Sequence, residues 1–252
     1  ASRLAEGVSQ ATTNRQRACL SKIFACAKTW GYYGGDNPVR AVKRFPESPG
    51  RTRFLSGREA DRLSGCSPRH LEPVVLCGLH TGGRLTEILR LEWEDIRLDG
   101  DRGGVLYFAQ ENTKSAKQRE IPISPELAKL LHERQKVRAM GGDARKFVFT
   151  RHGRRMADIR TAFKKARKRA GLGGDVSFHV LRHTFASWFM INGGDLYRLQ
   201  KLLGHSTIAL TQRYAHLSPD YLRSSVEFFG APERTRSHPV DTKSSEARQG
   251  RQ

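Results

Sequence analysis

Six polar side chains in the sequence are of types that could perform chemistry on a phosphate ester. They are two arginines, a lysine, two histidines and a tyrosine: Arg84, Lys114, His179, Arg182, His205 and Tyr214. Guanidinium groups bind phosphate oxygens through a fixed fork of N–H donors, and histidine or lysine can exchange protons with reacting groups. A tyrosine hydroxyl can act as a nucleophile and form a covalent intermediate. Residues of these types could together bind and transfer a phosphoryl group.

The order and spacing of these residues are more specific than any one of them alone. Their local sequences are HTGGRLTEIL, ENTKSAK, SFHVLRHTF, LLGHS and TQRYAHLS. The steps from His179 to Arg182, to His205 and to Tyr214 are three, 23 and nine residues. In this order, R…K…H-x-x-R…H…Y, the sequence resembles the tyrosine recombinase family, the integrases of phages and other mobile elements. The resemblance covers about residues 12–228, and it enters late in that family's helical core-binding domain.

The resemblance implies an enzyme that cleaves and rejoins DNA strands at specific sites. Tyr214 would attack a phosphodiester and form a 3′-phosphotyrosine, which conserves the bond energy for rejoining. Arg84 and Arg182 would hold the charge that develops on the nonbridging oxygens of the five-coordinate phosphorus. The family needs neither ATP nor a metal, so the resemblance implies no cofactor.

The resemblance also assigns the proton transfers. Lys114 would be the general acid for the leaving 5′ oxygen, although Lys117 lies three residues further on in the same polar turn. His179 would exchange the proton of the tyrosine, and His205 would donate a hydrogen bond to the scissile phosphate. His183 lies four residues after His179, and we interpret it as a structural histidine rather than a zinc ligand because no third ligand is evident.

The composition is consistent with a DNA-binding protein. The 252 residues include 45 Lys and Arg against 25 Asp and Glu, a net charge of +20, which favours a polyanionic partner. The sequence has no apolar stretch long enough to cross a bilayer and no signal-peptide pattern. None of the four cysteines forms a C-x-x-C pair, and Cys26 and Cys77 are expected to be buried thiols. We expect a cytoplasmic protein of a bacterial cell, associated with the nucleoid.

The predicted fold is mainly α-helical with a small antiparallel β-sheet (α+β). We predict a partial core-binding domain over residues 1–48, a linker over 49–54, a catalytic domain over 55–230 and a disordered tail over 231–252. Strands are predicted at residues 105–109, 119–123 and 147–150. The predicted helices include 14–33, 39–42, 156–170, 178–190, 195–203, 207–214 and 219–229, with Thr12 or Thr13 capping the first.

The expected partners are double-stranded attachment-site DNA and three further copies of the chain, since the family acts as a homotetramer. Helix 219–229 would dock on a neighbouring protomer, and accessory DNA-bending or directionality proteins would assist. Two other functions remain open. Residues 195–214 have the pattern of a helix-turn-helix, which would suit a non-catalytic DNA-binding protein. A type IB topoisomerase-like activity would use the same tyrosine chemistry.

Overall fold

The computed structural model describes residues 5–46, 52–100, 103–109, 119–138 and 141–218. Lys114, the predicted helix 219–229 and the predicted tail 231–252 lie outside the described residues. In the first described segment, helix α1 spans Gln10–Thr29 and a 3-10 turn spans Pro38–Ala41. The side chain of Asn14 joins the two ends of this segment, because it donates to the carbonyl of Phe45 and accepts from its amide.

Four predictions for this segment were wrong in detail. Helix α1 spans Gln10–Thr29 instead of the predicted residues 14–33. Ser9 caps α1, since its hydroxyl accepts from the amide of Thr12, and neither Thr12 nor Thr13 is the cap. Residues 38–41 form a 3-10 turn in place of the predicted helix over 39–42. Cys26 is half-buried instead of buried, since few side chains cover α1. Leu20 and Ile23 remain 47% and 57% exposed, so this segment buries little apolar surface of its own.

The remaining helices and strands lie within residues 57–203. The helices are α2 (Gly57–Gly65), α3 (Glu72–Thr81), α4 (Leu85–Leu89), α5 (Pro125–Arg138), α6 (Arg160–Arg169), α7 (Phe178–Ile191) and α8 (Leu196–Leu203). The strands are β1 (Ile96–Leu98), β2 (Gly104–Phe108), β3 (Arg119–Ile123), β4 (Thr150–Arg151) and β5 (Arg154–Arg155). Short 3-10 segments lie at Trp93–Asp95, Gly142–Arg145, Ile208–Leu210 and Gln212–Leu217. The predicted fold class, mostly helical with a small antiparallel sheet, is confirmed.

The larger sheet has the antiparallel order β1-β2-β3, with Leu106 paired to Ile96 on one side and to Ile121 on the other. Along β3 the buried residues are Arg119, Ile121 and Ile123, because side chains two apart share one face of a strand. An arginine therefore occupies the first inward position of this strand. The second sheet is the hairpin β4-β5.

Helix α3 lies in the core, and most of its apolar residues are buried. It packs along α7 so closely that a Cβ on Gly78 would lie 3.1 Å from the ring of Phe178. This close approach sets the distance between the end of α3 and the histidines of α7. Among the helices of the described ranges, none combines the length and apolar character that crossing a bilayer requires.

Three further elements differ from prediction. The apolar run 147–150 contributes a single bridge from Phe147 to Glu92, and the strand begins at Thr150. Helix α6 begins at Arg160, since Asp158 accepts from its amide, so the helix predicted over 156–170 is shorter. Residues 207–214 do not form one α-helix but fall into two successive 3-10 segments.

Candidate active site

Arg84 is presented to solvent at the junction between α3 and α4. Helix α3 ends at Gly82, whose φ of 62° is the left-handed cap that glycine adopts without strain. Two residues later Arg84 is the N-cap of α4, and its amide donates to Glu87 at 2.7 Å. Its guanidinium also donates to Glu87, at 2.8 Å, yet the side chain stays 47% exposed. The guanidinium is thus oriented from one side and open to a ligand on the other.

Glu87 connects Arg84 to a second, buried arginine. Arg119, at the start of β3, donates to both oxygens of this carboxylate, at 3.2 and 2.9 Å. The two side chains are 3% and 6% exposed. Burial acts to raise the pKa of Glu87, but the hydrogen bonds and charge of Arg119, with the donors of Arg84, outweigh it and hold the pKa below its ordinary value. Glu87 is therefore a carboxylate shared by two guanidinium groups.

Arg182, on α7, is tied to the same region through the backbone. It donates to the carbonyl of Gly82 at 2.8 Å and to that of Leu203 at 2.6 Å. Arg119 donates to the same Leu203 carbonyl at 3.0 Å. Burial, together with the charges of Arg84 and Arg119, lowers the pKa of Arg182 to about 10, which leaves it protonated at neutral pH. The three arginines are accompanied by one carboxylate, Glu87, which contacts two of them, so the site carries excess positive charge that suits an anion.

His205 follows the end of α8, which brings it to the arginines. Gly204 caps this helix with a φ of 64°, and a Cβ there would lie 2.7 Å from Nη1 of Arg119. Nδ1 of His205 lies 2.9 Å from the hydroxyl of the buried Thr211, which holds the ring in place. Burial and the charges of Arg182 and Arg84 lower the pKa of His205 to about 4, so the ring is neutral at pH 7.

Tyr214 lies in the 3-10 segment Gln212–Leu217 and is only 2% exposed. Its hydroxyl is 2.6 Å from Nδ1 of His183, one turn of α7 beyond His179. Burial raises the pKa of Tyr214, and the charges of Arg213 and Arg182 oppose that rise. The phenol is therefore protonated at neutral pH and is hydrogen-bonded to an imidazole.

His179 lies at the exposed edge of the site. Its ring stands edge-on to that of His183, with the centroids 4.7 Å apart. Partial burial and the charges of Arg182 and Arg84 lower its pKa. The five described residues of the predicted site thus lie in one connected region, and Lys114 is outside the described residues.

Sequence reasoning missed the contributions of Arg119 and His183. The sequence does not single out Arg119, because it lies two residues after Lys117 in a run of polar residues. Its side chain is buried only because the register of the strand turns it inward. His183 did carry a signal, since positions four apart on a helix share a face. From the sequence we interpret His183 as a structural histidine, and the structure places the hydroxyl of Tyr214 against its ring.

The comparisons with known proteins are consistent with this geometry. The model of the Phage integrase family matches residues 55–220. The integrase of Escherichia phage 186 is 34% identical over 227 residues, which are 87% of this chain and 60% of that protein. The solved catalytic domain of bacteriophage HP1 integrase is 36% identical, with a TM-score of 0.52 over 70% of this chain and 94% of that one.

A more distant structure shows the fold alone. The XerH site-specific recombinase bound to palindromic difH substrate is 18% identical, with a TM-score of 0.71 over 88% of this chain and 68% of that one. The chain spans about three fifths of the length of the phage 186 integrase. Because the family match covers most of the chain and includes the arginines, histidines and tyrosine that the fold brings together, the chain belongs to the phage integrase family of tyrosine recombinases.

Proposed function

We propose that this chain is the catalytic part of a site-specific DNA recombinase of a mobile genetic element, which cleaves and rejoins strands through a 3′-phosphotyrosine. The observation that carries the proposal is the connected site. Arg84, Arg119 and Arg182 are linked through Glu87 and the Leu203 carbonyl. The charges of these arginines also act on the pKa values of three further side chains: Tyr214, His179 and His205.

In the proposed reaction Arg84 and Arg182 bind the nonbridging oxygens of the scissile phosphate, since fixed guanidinium donors stabilise charge that develops in the transition state. Tyr214 attacks the phosphorus. His205 donates a hydrogen bond to the phosphate: when the Thr211 hydroxyl donates to Nδ1, the ring proton is on Nε2, which can then face the ligand.

Two proposed roles concern protons. Lys114 protonates the 5′ oxygen as it leaves, and His179 exchanges protons at the attacking end of the site. The reaction as proposed uses protein side chains alone.

Double-stranded DNA is the proposed substrate, and a basic groove supports it. Arg151, Arg154, Arg155, Lys165 and Arg169 line a cavity of about 630 Å³ between the β4-β5 hairpin and α6. Clustered cations of this kind bind the phosphate backbone without reading its sequence. Solved relatives include a lambda integrase dimer bound to a COC′ core site. We further propose a homotetramer on two duplexes, in a bacterial cytoplasm, with accessory proteins setting direction.

The described residues after α8 do not form the second α-helix that a helix-turn-helix repressor needs. Such a motif inserts its second α-helix into the major groove. Here the segment after α8 forms 3-10 turns, and its Tyr214 and Thr211 are buried. A topoisomerase-like activity shares the same cleavage step and is separated from recombination by its products.

The proposal is tested by covalent capture from a library of nicked duplexes with randomised sequence. The full chain is incubated with the library in EDTA, denatured, and the protein-linked DNA is recovered and sequenced. Wild type should enrich a defined sequence, and Tyr214→Phe should capture none while still binding DNA. Tyr197→Phe is the matched control, since Tyr197 is 61% exposed on α8 and should capture as wild type does.

Two outcomes would decide against the proposal. Capture that survives Tyr214→Phe would assign the nucleophile elsewhere, and tight binding with no capture by wild type would leave a DNA-binding protein. With the recovered sequence in two duplexes, recombinant junctions distinguish strand exchange from simple relaxation.

A further inference from the structure

The proton of the Tyr214 hydroxyl has one close acceptor in the described site. The tyrosine is 2% exposed, so bulk water has little access to it. Its oxygen lies 2.6 Å from Nδ1 of His183, a short hydrogen bond. Building on the proposed function, we propose that His183 is a catalytic residue that accepts the proton of Tyr214 as the tyrosine attacks the phosphate.

The helix places His183 for this role and turns the neighbouring arginine away from it. Arg182 directs its two terminal nitrogens to the carbonyls of Gly82 and Leu203. His183 is the next residue on α7 and points to Tyr214 instead. His179, one turn earlier on α7, stands edge-on to the ring of His183 and is itself exposed. The tyrosine, His183 and His179 therefore form a row that leads from the buried hydroxyl toward solvent.

The proton transfer balances in both directions. During cleavage the O–H proton of Tyr214 moves to Nδ1 of His183, the tyrosine oxygen bonds to phosphorus, and the bond from phosphorus to the 5′ oxygen breaks. The leaving oxygen takes its proton from the general acid, proposed to be Lys114. During rejoining a 5′ hydroxyl attacks the phosphotyrosine and gives its proton to the general acid that was deprotonated in cleavage. The bond from phosphorus to the tyrosine oxygen breaks, and the protonated His183 returns its proton to that oxygen.

The electrostatic surroundings keep His183 ready to accept. Burial, followed by His179 and the charges of Arg213 and Arg182, lowers the pKa of His183 to about 4, so Nδ1 is unprotonated at neutral pH. A bound phosphate would bring negative charge next to these cations and favour the protonated ring during the reaction. In this proposal His183 is the direct acceptor, a role that the resemblance gives to His179, and His179 exchanges protons with solvent from the exposed edge of the site.

A hydrogen bond that merely seats the tyrosine would have the same geometry, so the test must separate holding from proton transfer. His183→Asn does this, because the asparagine amide oxygen can accept a hydrogen bond near the position of Nδ1 but cannot take up a proton. His179→Asn is the matched change one turn away. The single-turnover rate of covalent complex formation is measured on the DNA recovered by capture, and DNA affinity and thermal midpoint are measured alongside.

For His183→Asn we expect a loss of about 10²-fold or more in the cleavage rate, the scale of a general base, with DNA affinity and thermal midpoint retained. Replacing Tyr214 by 3,5-difluorotyrosine in this variant should restore most of the rate, because the more acidic phenol needs less help to lose its proton. His179→Asn should cost less than His183→Asn.

Three results would overturn the inference. The first is cleavage by His183→Asn at a near wild-type rate. The second is a cleavage rate of His183→Asn that 3,5-difluorotyrosine at position 214 does not raise. The third is a larger loss of rate in His179→Asn than in His183→Asn, with that loss fully restored by the difluorotyrosine. Each of these leaves the proposed function intact, since wild type still forms the covalent complex. Absence of that complex in wild type would instead contradict the proposed function itself.

Discussion

The buried pair of Arg119 and Glu87 offers the sharpest test of how the site is held together. Arg119→Met removes three hydrogen bonds: two to the Glu87 carboxylate and one to the Leu203 carbonyl. Methionine has similar length and no charge, so it occupies much of the same space. The change leaves a buried carboxylate without the buried guanidinium that donates to both of its oxygens.

The expected loss depends on what each partner retains. Removing one member of a buried ion pair costs about 3–5 kcal/mol. Glu87 keeps the amide and guanidinium of Arg84, and the Leu203 carbonyl keeps Arg182 at 2.6 Å. The loss should therefore lie at the lower end, about 3 kcal/mol, which for a domain of this size lowers Tm by roughly 6–12 °C.

The assay is thermal and urea unfolding of the full chain, followed by circular dichroism. Arg198→Met is the matched control, because its ion pair with Asp195 is 81% exposed on the arginine side and should leave Tm nearly unchanged. The double variant Arg119→Met with Glu87→Leu should be less destabilised than the sum of its single changes, since no uncompensated carboxylate remains.

Two results would refute this reasoning. A Tm for Arg119→Met within about 2 °C of wild type would mean that Glu87 is not left as an uncompensated buried charge when Arg119 is removed. Strict additivity in the double variant would mean that the carboxylate and the guanidinium do not stabilise one another.

The remaining predictions concern pH, the αL cap and salt. The Arg53 side chain and the Ser56 amide hold the pKa of Glu59 at about 2, so its contribution is complete above about pH 4.5 and is lost as pH falls toward 2. Glu59→Gln should therefore lower the urea-unfolding free energy by about 1–2 kcal/mol at pH 7 and by almost nothing near pH 2; an equal loss at both pH values would contradict this. Gly204→Ala should lower the urea-unfolding free energy by about 2 kcal/mol and slow covalent capture, because the left-handed φ and the contact with Arg119 both oppose a Cβ. An unchanged Tm in this variant would count against the αL cap. Arg154→Gln should weaken DNA binding and reduce the slope of log K against log salt by about 1, measured by fluorescence anisotropy; an unchanged slope would remove this arginine from the interface.

Much of the fold could be predicted because its signals are local. Ser56 and Glu59 stand in the S-x-x-E pattern of a capping box, and both of its hydrogen bonds are formed in the structure. Strands β2 and β3 and helix α7 lie within a residue or so of the predicted bounds. Elements whose existence depends on distant partners were missed or misplaced. Strand β1 has three residues and pairs only because β2 lies beside it, and the turns after α8 are set by packing of Thr211 and Tyr214.

The same division holds for the candidate site. The sequence by itself determined the family, the charge and the order of the arginines, histidines and tyrosine, because residue type and spacing are properties of the chain. Their partners were decided by tertiary structure alone. The inward register of β3 brings Arg119 to Glu87, 32 residues away in sequence, and the end of α8 offers one carbonyl to two arginines. The fold of the last described segment also places the hydroxyl of Tyr214 within hydrogen-bond distance of His183. A hydrogen bond depends on positions within a few tenths of an ångström, and elements far apart in sequence reach such positions only when the core between them is packed.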